Sequence, residues 1–198
     1  MATAGRTNAS DETRQIDFFR GQEPPRPETF RKAIEVVHSV PNQPLTLVQK
    51  KMASFLVKNA VETAPDAEGY FTVPVSVFAD QIAYDSRNFV HLREAARALM
   101  SIILDWDVVS TKERPRYKAS VLVPEIDIDG GVLRYQISHQ ILSKVLNPDV
   151  YARVDMAVVR RMRRAASIAL YENCVRFINV RQTPELPLEL AKDLLVGK

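Results

Sequence analysis

Cysteine is almost absent. Cys174 is the single thiol in 198 residues, so no internal disulfide can form and a thiolate zinc cage has no ligands. One unpaired thiol agrees with a reducing compartment. Long apolar runs are missing as well: no window approaches the roughly 18 uninterrupted apolar residues of a membrane span, and the opening residues are polar and charged, unlike a secretory signal. These absences predict a cytoplasmic protein without a membrane partner.

Catalytic signatures are also lacking. No G-x-x-x-x-G-K-[ST] phosphate loop occurs, which argues against an ATP-driven step. His38, His91 and His139 lie far apart without metal-ligand neighbours at helical spacing, and no His-x-His pair stands near a tyrosine as rolling-circle nucleases require. Glu125-Ile126-Asp127-Ile128-Asp129-Gly130 imitates a calcium loop, but with Glu125 as position 1, position 12 is Gln136 rather than a bidentate carboxylate. Its Ile alternation reads instead as a strand entering an Asp-Gly turn. The chain is therefore read as a non-enzyme with no cofactor and no metal.

What is present is a chain 46% hydrophobic, enough for a substantial core. The formal charge is only +3, so distribution matters more than total. From Tyr151 to Arg181 seven arginines (Arg153, Arg160, Arg161, Arg163, Arg164, Arg176, Arg181) face two acids, Asp155 and Glu172, an excess of five.

Residues 1–28, with Gly5, Ser10, Gly21 and Glu23-Pro24-Pro25-Arg26-Pro27-Glu28, read as a flexible tail. Phe30, Ala33, Ile34 and Val37 are spaced for one helical face. Thr46-Leu47-Val48-Gln49 has the form of a capping box. The helix it predicts buries Val48, Met52, Phe55, Leu56 and Ala60 and turns Lys50, Lys51 and Lys58 to solvent. Tyr70–Val75 reads as a strand, and Val77–Ile82 as a short helix capped by Ser76. After a turn at Tyr84–Arg87, Leu92, Ala95, Ala96, Leu99, Met100 and Ile103 form a helical stripe within Asn88–Leu104. Strand-like composition then covers Asp105–Thr111, Arg116–Val123 and Val132–Ser138. Ser138 is placed to cap a helix ending at Asn147-Pro148-Asp149, and a long helix is predicted over Met156–Ile178. The segment Leu186–Leu195 begins one more amphipathic helix, with little left to pack against.

Short helix, turn, longer helix and hairpin is the order of a winged helix-turn-helix. The predicted class is α+β, helix-rich, with a small antiparallel sheet and a hairpin wing. Four stretches carry a family likeness: Pro44–Lys51, Leu92–Leu99, Leu146–Arg153 and Ala169–Glu172. In these residues and their order, over about residues 30 to 195, the chain resembles the iteron-binding plasmid replication initiators, the Rep proteins. One departure is Arg163-Arg164-Ala165-Ala166, where relatives carry a more Ser-, Lys- and Tyr-containing segment.

The resemblance implies two winged-helix domains in tandem in a bacterial cytoplasmic protein. Residues 29–182 would be the first, which dimerises and contacts DNA backbone. Residues 183–198 would open a second, sequence-reading domain cut short. It implies double-stranded origin repeats as the DNA partner, a second copy as the protein partner, monomers that activate and dimers that repress or store.

Three groups of residues fit phosphate or base contact. Arg160, Arg161, Arg163 and Arg164 could straddle a backbone from two sides of a helix. Lys112, Arg114, Arg116 and Lys118, alternating along a hairpin, form the candidate wing contact. Arg87, Asn88, Arg93 and Arg97 suit a recognition helix. Each has a bland counterpart in a solvated, charged surface. In the tail, Gln15-Ile16-Asp17-Phe18-Phe19 resembles the peptide by which bacterial proteins grip the sliding clamp, its glutamine supplying amide hydrogen bonds and its apolar side chains filling pockets. Tyr171 reads as a core aromatic with a tethered hydroxyl. Two rival functions stay open: a winged-helix regulator reading an operator, and an interaction module for the replicative helicase or the clamp.

Overall fold

The computed structural model describes residues 28–84, 89–106 and 118–198. Its first half contains β1 (Thr29–Ala33), α1 (Ile34–Val37), β2 (Val40–Pro41), α2 (Leu47–Glu62), β3 (Phe71–Pro74), α3 (Val75–Gln81), α4 (Phe89–Leu99) and β4 (Ile103–Asp105). There follow β5 (Ala119–Val121), β6 (Glu125–Asp129), β7 (Val132–Gln136), α5 (His139–Leu146), β8 (Tyr151–Asp155), α6 (Met156–Arg161), α7 (Ala165–Val175) and α8 (Leu188–Val196). The strands form three small antiparallel sheets in the orders β1-β8, β2-β4-β5 and β3-β7-β6.

α2 is the central element. Its start is fixed locally by the capping box: the Gln49 amide donates to Thr46 Oγ1 at 3.2 Å, and the Thr46 amide donates to Gln49 Oε1 at 2.8 Å. Met52, Phe55, Leu56 and Ala60 are buried as their spacing predicts. The expected lysine face is not: Lys51 is buried, and Lys50 and Lys58 are half-buried. α2 is encased by β1, β3, α4, α5, α6 and α7, so it has no wholly solvated side. Asn59 and the Leu56 carbonyl take up the buried Tyr135 hydroxyl of β7, which receives the Asn59 amide at 3.1 Å and donates to the carbonyl at 2.6 Å.

β3, α3 and α4 form the helix-turn-helix. α3 starts at Val75 behind Pro74 as N-cap, two residues ahead of the Ser76 cap expected from sequence. Proline's fixed φ and missing N–H suit a helix start. α3 ends in a tight turn in which Ala83 takes φ +50°. Leu92, Ala95, Ala96 and Leu99 of α4 face the core. The helix stops at Leu99 instead of running to Leu104, because Ile103–Asp105 pairs with β2 and β5. Both partners are remote in sequence, so the local period could not disclose them.

Two antiparallel pairs follow, β4-β5 and β6-β7; β5 and β7 lie within the strands read from composition over Arg116–Val123 and Val132–Ser138, while residues 107–111 of the third lie outside the described residues. β6 and β7 turn through Gly130 (φ +55°) and Gly131 (φ +80°), with Asp129 opposite Val132. Two positive φ angles in a two-residue loop make the turn that matches strand twist, where the Asp-Gly signal placed it.

Two predicted helices change character. Phe30–Ala33 belongs to β1 and only Ile34–Val37 is helical, because β1 pairs along its length with β8. The long helix over Met156–Ile178 is two helices, broken between Arg161 and Ala165. α8, expected to lack packing partners, lies on α7 and β2, with Leu194 buried and the Lys198 amide donating to the Pro41 carbonyl at 3.0 Å.

A charged cluster ties β1, α2 and α7 together inside the core. Glu172 of α7 is fully buried; its Oε1 lies 2.5 Å from Lys32 Nζ and accepts the Ser54 hydroxyl at 2.7 Å, while Lys50 Nζ stands 3.3 Å from Oε2. Burial by itself would raise the Glu172 carboxyl, but Lys32, Lys50 and the hydrogen bonds outweigh it and hold the group at about 2, below the ordinary 4.5. A depressed carboxylate stabilises the fold above its unfolded pKa and loses that contribution as pH falls through the folded value. Stability is therefore expected to decline between about pH 4.5 and pH 2. Glu172→Gln, which strands a buried ammonium, should cost on the order of 3–5 kcal/mol at neutral pH and flatten that acid decline. Urea titrations across the pH range check both expectations.

Candidate nucleic-acid interface

The break between α6 and α7 determines how the arginine run is presented. Asp155 caps α6 by accepting the Ala157 amide at 2.8 Å, and Met162 then leaves the helix with extended ψ 143°. The freed end is satisfied from another element: Lys51 Nζ of α2 donates to the Arg160 carbonyl at 2.7 Å. A cation at a helix C-terminus also opposes the negative end of the dipole. Arg161 thus sits in the last turn of α6, Arg163 in the break and Arg164 at the N-cap of α7. All three are exposed, but they do not lie on two sides of one helix as the sequence suggested.

Arg160 is engaged within the protein. Half-buried, it pairs with Glu28 and donates to Gln81 Oε1 at 3.4 Å. Gln81 ends α3, so this contact sets the arginine break beside the helix-turn-helix turn. Among the described residues no carboxylate pairs with Arg161, Arg163 or Arg164.

The two acids that diluted this segment in sequence do not dilute it at the surface. Glu172 is neutralised in the core and Asp155 is occupied as a cap. Tyr171 of α7 is half-buried, and its hydroxyl accepts the Asp155 amide at 2.9 Å, the tethered role its sequence context suggested.

On α4, Arg93 and Arg97 are exposed one turn apart, with exposed Glu94 between them and Phe89 (56% exposed) and Val90 (53%) at the start. This is a mixed apolar and charged face. Arg87 and Asn88 lie outside the described residues, as do Lys112, Arg114, Arg116 and the tail peptide Gln15, Ile16, Asp17, Phe18 and Phe19. Lys118, just before β5, is exposed.

The hairpin bonded to β3, the strand leading into the helix-turn-helix, is β6-β7. The exposed positions of β6 are acidic: Glu125, Asp127 and Asp129. Asp66 and Glu68 lie beside them, both bonded to Arg134, whose guanidinium stacks 4.3 Å from the Tyr70 ring centre. The Tyr70 amide, followed by Arg134, lowers the Asp66 carboxyl below its ordinary range. Such a surface repels phosphate. The basic hairpin of the sequence reading is the other one, β4-β5, attached to β2.

Sequence reasoning missed Arg31 and Arg153. Both are exposed, and the β1-β8 register sets them directly opposite each other. A signal existed in Tyr151-Ala152-Arg153-Val154-Asp155, which alternates as a strand does, but these residues were left unassigned between two predicted helices. Among the described residues no group of three or more His, Cys, Asp or Glu is placed to hold a metal. No described helix is long and apolar enough to cross a membrane.

A strand, a short helix, a turn and a second helix, followed by antiparallel hairpins, define a winged-helix domain of the α+β class. The comparisons narrow this. The WH1 domain of the initiator replication protein family matches residues 30–175, and the chain belongs to that family. It is a winged-helix domain of a plasmid DNA replication initiator. A search of curated proteins finds no match.

The Lys51 contact makes a direct prediction. Lys51→Met keeps the aliphatic stem but leaves the end of α6 unsatisfied, which should cost about 1–3 kcal/mol. Chemical denaturation against wild type measures it.

Proposed function

We propose that this domain helps hold double-stranded origin repeats by securing DNA phosphates, acting through assembly in the cytoplasm and not through catalysis. The observation that carries the reading is the exposed trio Arg161, Arg163 and Arg164, unpaired with acids among the described residues and set beside the helix-turn-helix turn by the Arg160–Gln81 contact. Arginines of this kind neutralise phosphates and release counterions irrespective of sequence. Arg93 and Arg97 of α4 extend the basic surface, and Lys118 with Lys112, Arg114 and Arg116 would add to it from the β4-β5 hairpin. Sequence reading by α4 is a minor part of the proposal, because Phe89, Val90 and Glu94 share its outer face.

A homodimer is part of the same reading, with dimers for storage or repression and monomers for activation. Of the edge strands β5 and β6, β6 is guarded by Glu125, Asp127 and Asp129, which would repel a second copy. β5 carries only Ala119, Ser120 and Val121, and suits strand pairing better. In the tail, Gln15, Ile16, Asp17, Phe18 and Phe19 are proposed to bind the sliding clamp.

The DNA arm is tested by salt dependence. Arg161→Ala with Arg164→Ala should weaken duplex binding at low salt and reduce the log–log salt slope by about one per lost phosphate contact. An unchanged slope would count against it. For the clamp arm, Gln15→Ala with Phe18→Ala should abolish retention on immobilised sliding clamp. Equal retention removes that partner.

A further inference from the structure

The outer face of the β1-β8 ribbon presents two arginines where strand pairing alone would disfavour them. Arg31 and Arg153 are register partners, and both are exposed. Directly opposed like charges destabilise a strand pair. Arg31 is steadied by Tyr151, with the guanidinium carbon 4.9 Å from the ring centre. Neither arginine has a carboxylate partner among the described residues. The acids at hand are committed elsewhere: Glu62 and Asp149, which share a groove with Arg31, pair with Lys58 and Lys144, and Asp155 caps α6.

The ribbon is also continuous with the basic break. Glu28, the residue before β1, accepts the Met156 amide at 3.2 Å and pairs with Arg160, which reaches Gln81 at the end of α3. Arg31 lies three residues further along the strand, roughly 10 Å away at about 3.3 Å per residue.

We infer that Arg31 and Arg153 together clasp a backbone phosphate of duplex DNA, extending the track begun by Arg161, Arg163 and Arg164. The inference rests on the reading that those three arginines take phosphates. It explains why two cations are held in opposition: an anion between them turns the mutual repulsion into shared attraction. Tyr151 keeps the Arg31 guanidinium in place while the site is empty.

The test compares wild type, Arg153→Gln, Arg31→Gln with Arg153→Gln, and Arg161→Ala with Arg164→Ala. Duplex binding is measured across a salt series, and thermal melting of the DNA-free protein at low and high salt. Arg153→Gln should reduce the log–log slope by about one and leave the low-salt melting temperature unchanged or higher, any gain vanishing at high salt. The Arg31, Arg153 double variant should reduce the slope further.

A slope unchanged by the ribbon variants, while the Arg161, Arg164 variant lowers it, overturns the clasp and leaves the parent reading standing. A lower melting temperature accompanying the binding loss in Arg153→Gln overturns it too, by assigning the arginine a structural role. Unchanged slopes with altered self-association by sedimentation would give the ribbon to a second copy and overturn the DNA assignment. Wild type without salt-dependent duplex binding overturns the clasp and the parent reading together.

Discussion

The buried contact of Glu172 with Lys32 and Ser54 is the constraint on which the arrangement turns. A carboxylate inside the core must have its charge met, and here three elements from distant parts of the chain converge to meet it. Lys32 is drawn inward as a result. Because side chains alternate along a strand, Phe30 also faces in and Arg31 faces out. The same contact locks α7 against β1 and α2, and with it the N-cap at Arg164.

A second consequence is electrostatic sorting. The acids available to the basic segment are taken into the core or into a helix cap, while Glu125, Asp127 and Asp129 stand on the β6-β7 hairpin with Asp66 and Glu68 beside them. The surface is therefore far more polarised than a formal charge of +3 suggests. An anion approaching the helix-turn-helix meets arginines on the side of the α6-α7 break and carboxylates at the β6-β7 hairpin.

Features whose cause lies within a few residues were legible in the sequence. Thr46 and Gln49 cap α2, the Leu92–Leu99 stripe of α4 faces the core, and Gly130 and Gly131 make a tight turn, all where composition and spacing placed them. The family likeness was legible for a related reason, since the stretches that carry it include such local signals. Features whose cause lies across the fold were misread. Phe30–Ala33 fits a helical face equally well as a buried strand alternation, and only β8 decides between them. Met156–Ile178 contains no proline or glycine to announce a break; the end of α6 is stabilised by Lys51, over a hundred positions earlier.

Sequence by itself determined that this chain folds around an amphipathic helix-turn-helix with antiparallel hairpins, because capping, turn geometry and helical period are short-range properties of neighbouring residues. It also showed that arginine is concentrated after Tyr151. Tertiary structure alone decided which charges reach the surface and which face one another. Pairing Arg31 with Arg153, hiding Glu172 and turning Lys51 inward are outcomes of strand register and of the energy required to satisfy a buried charge, and both depend on residues that meet only once the chain has folded.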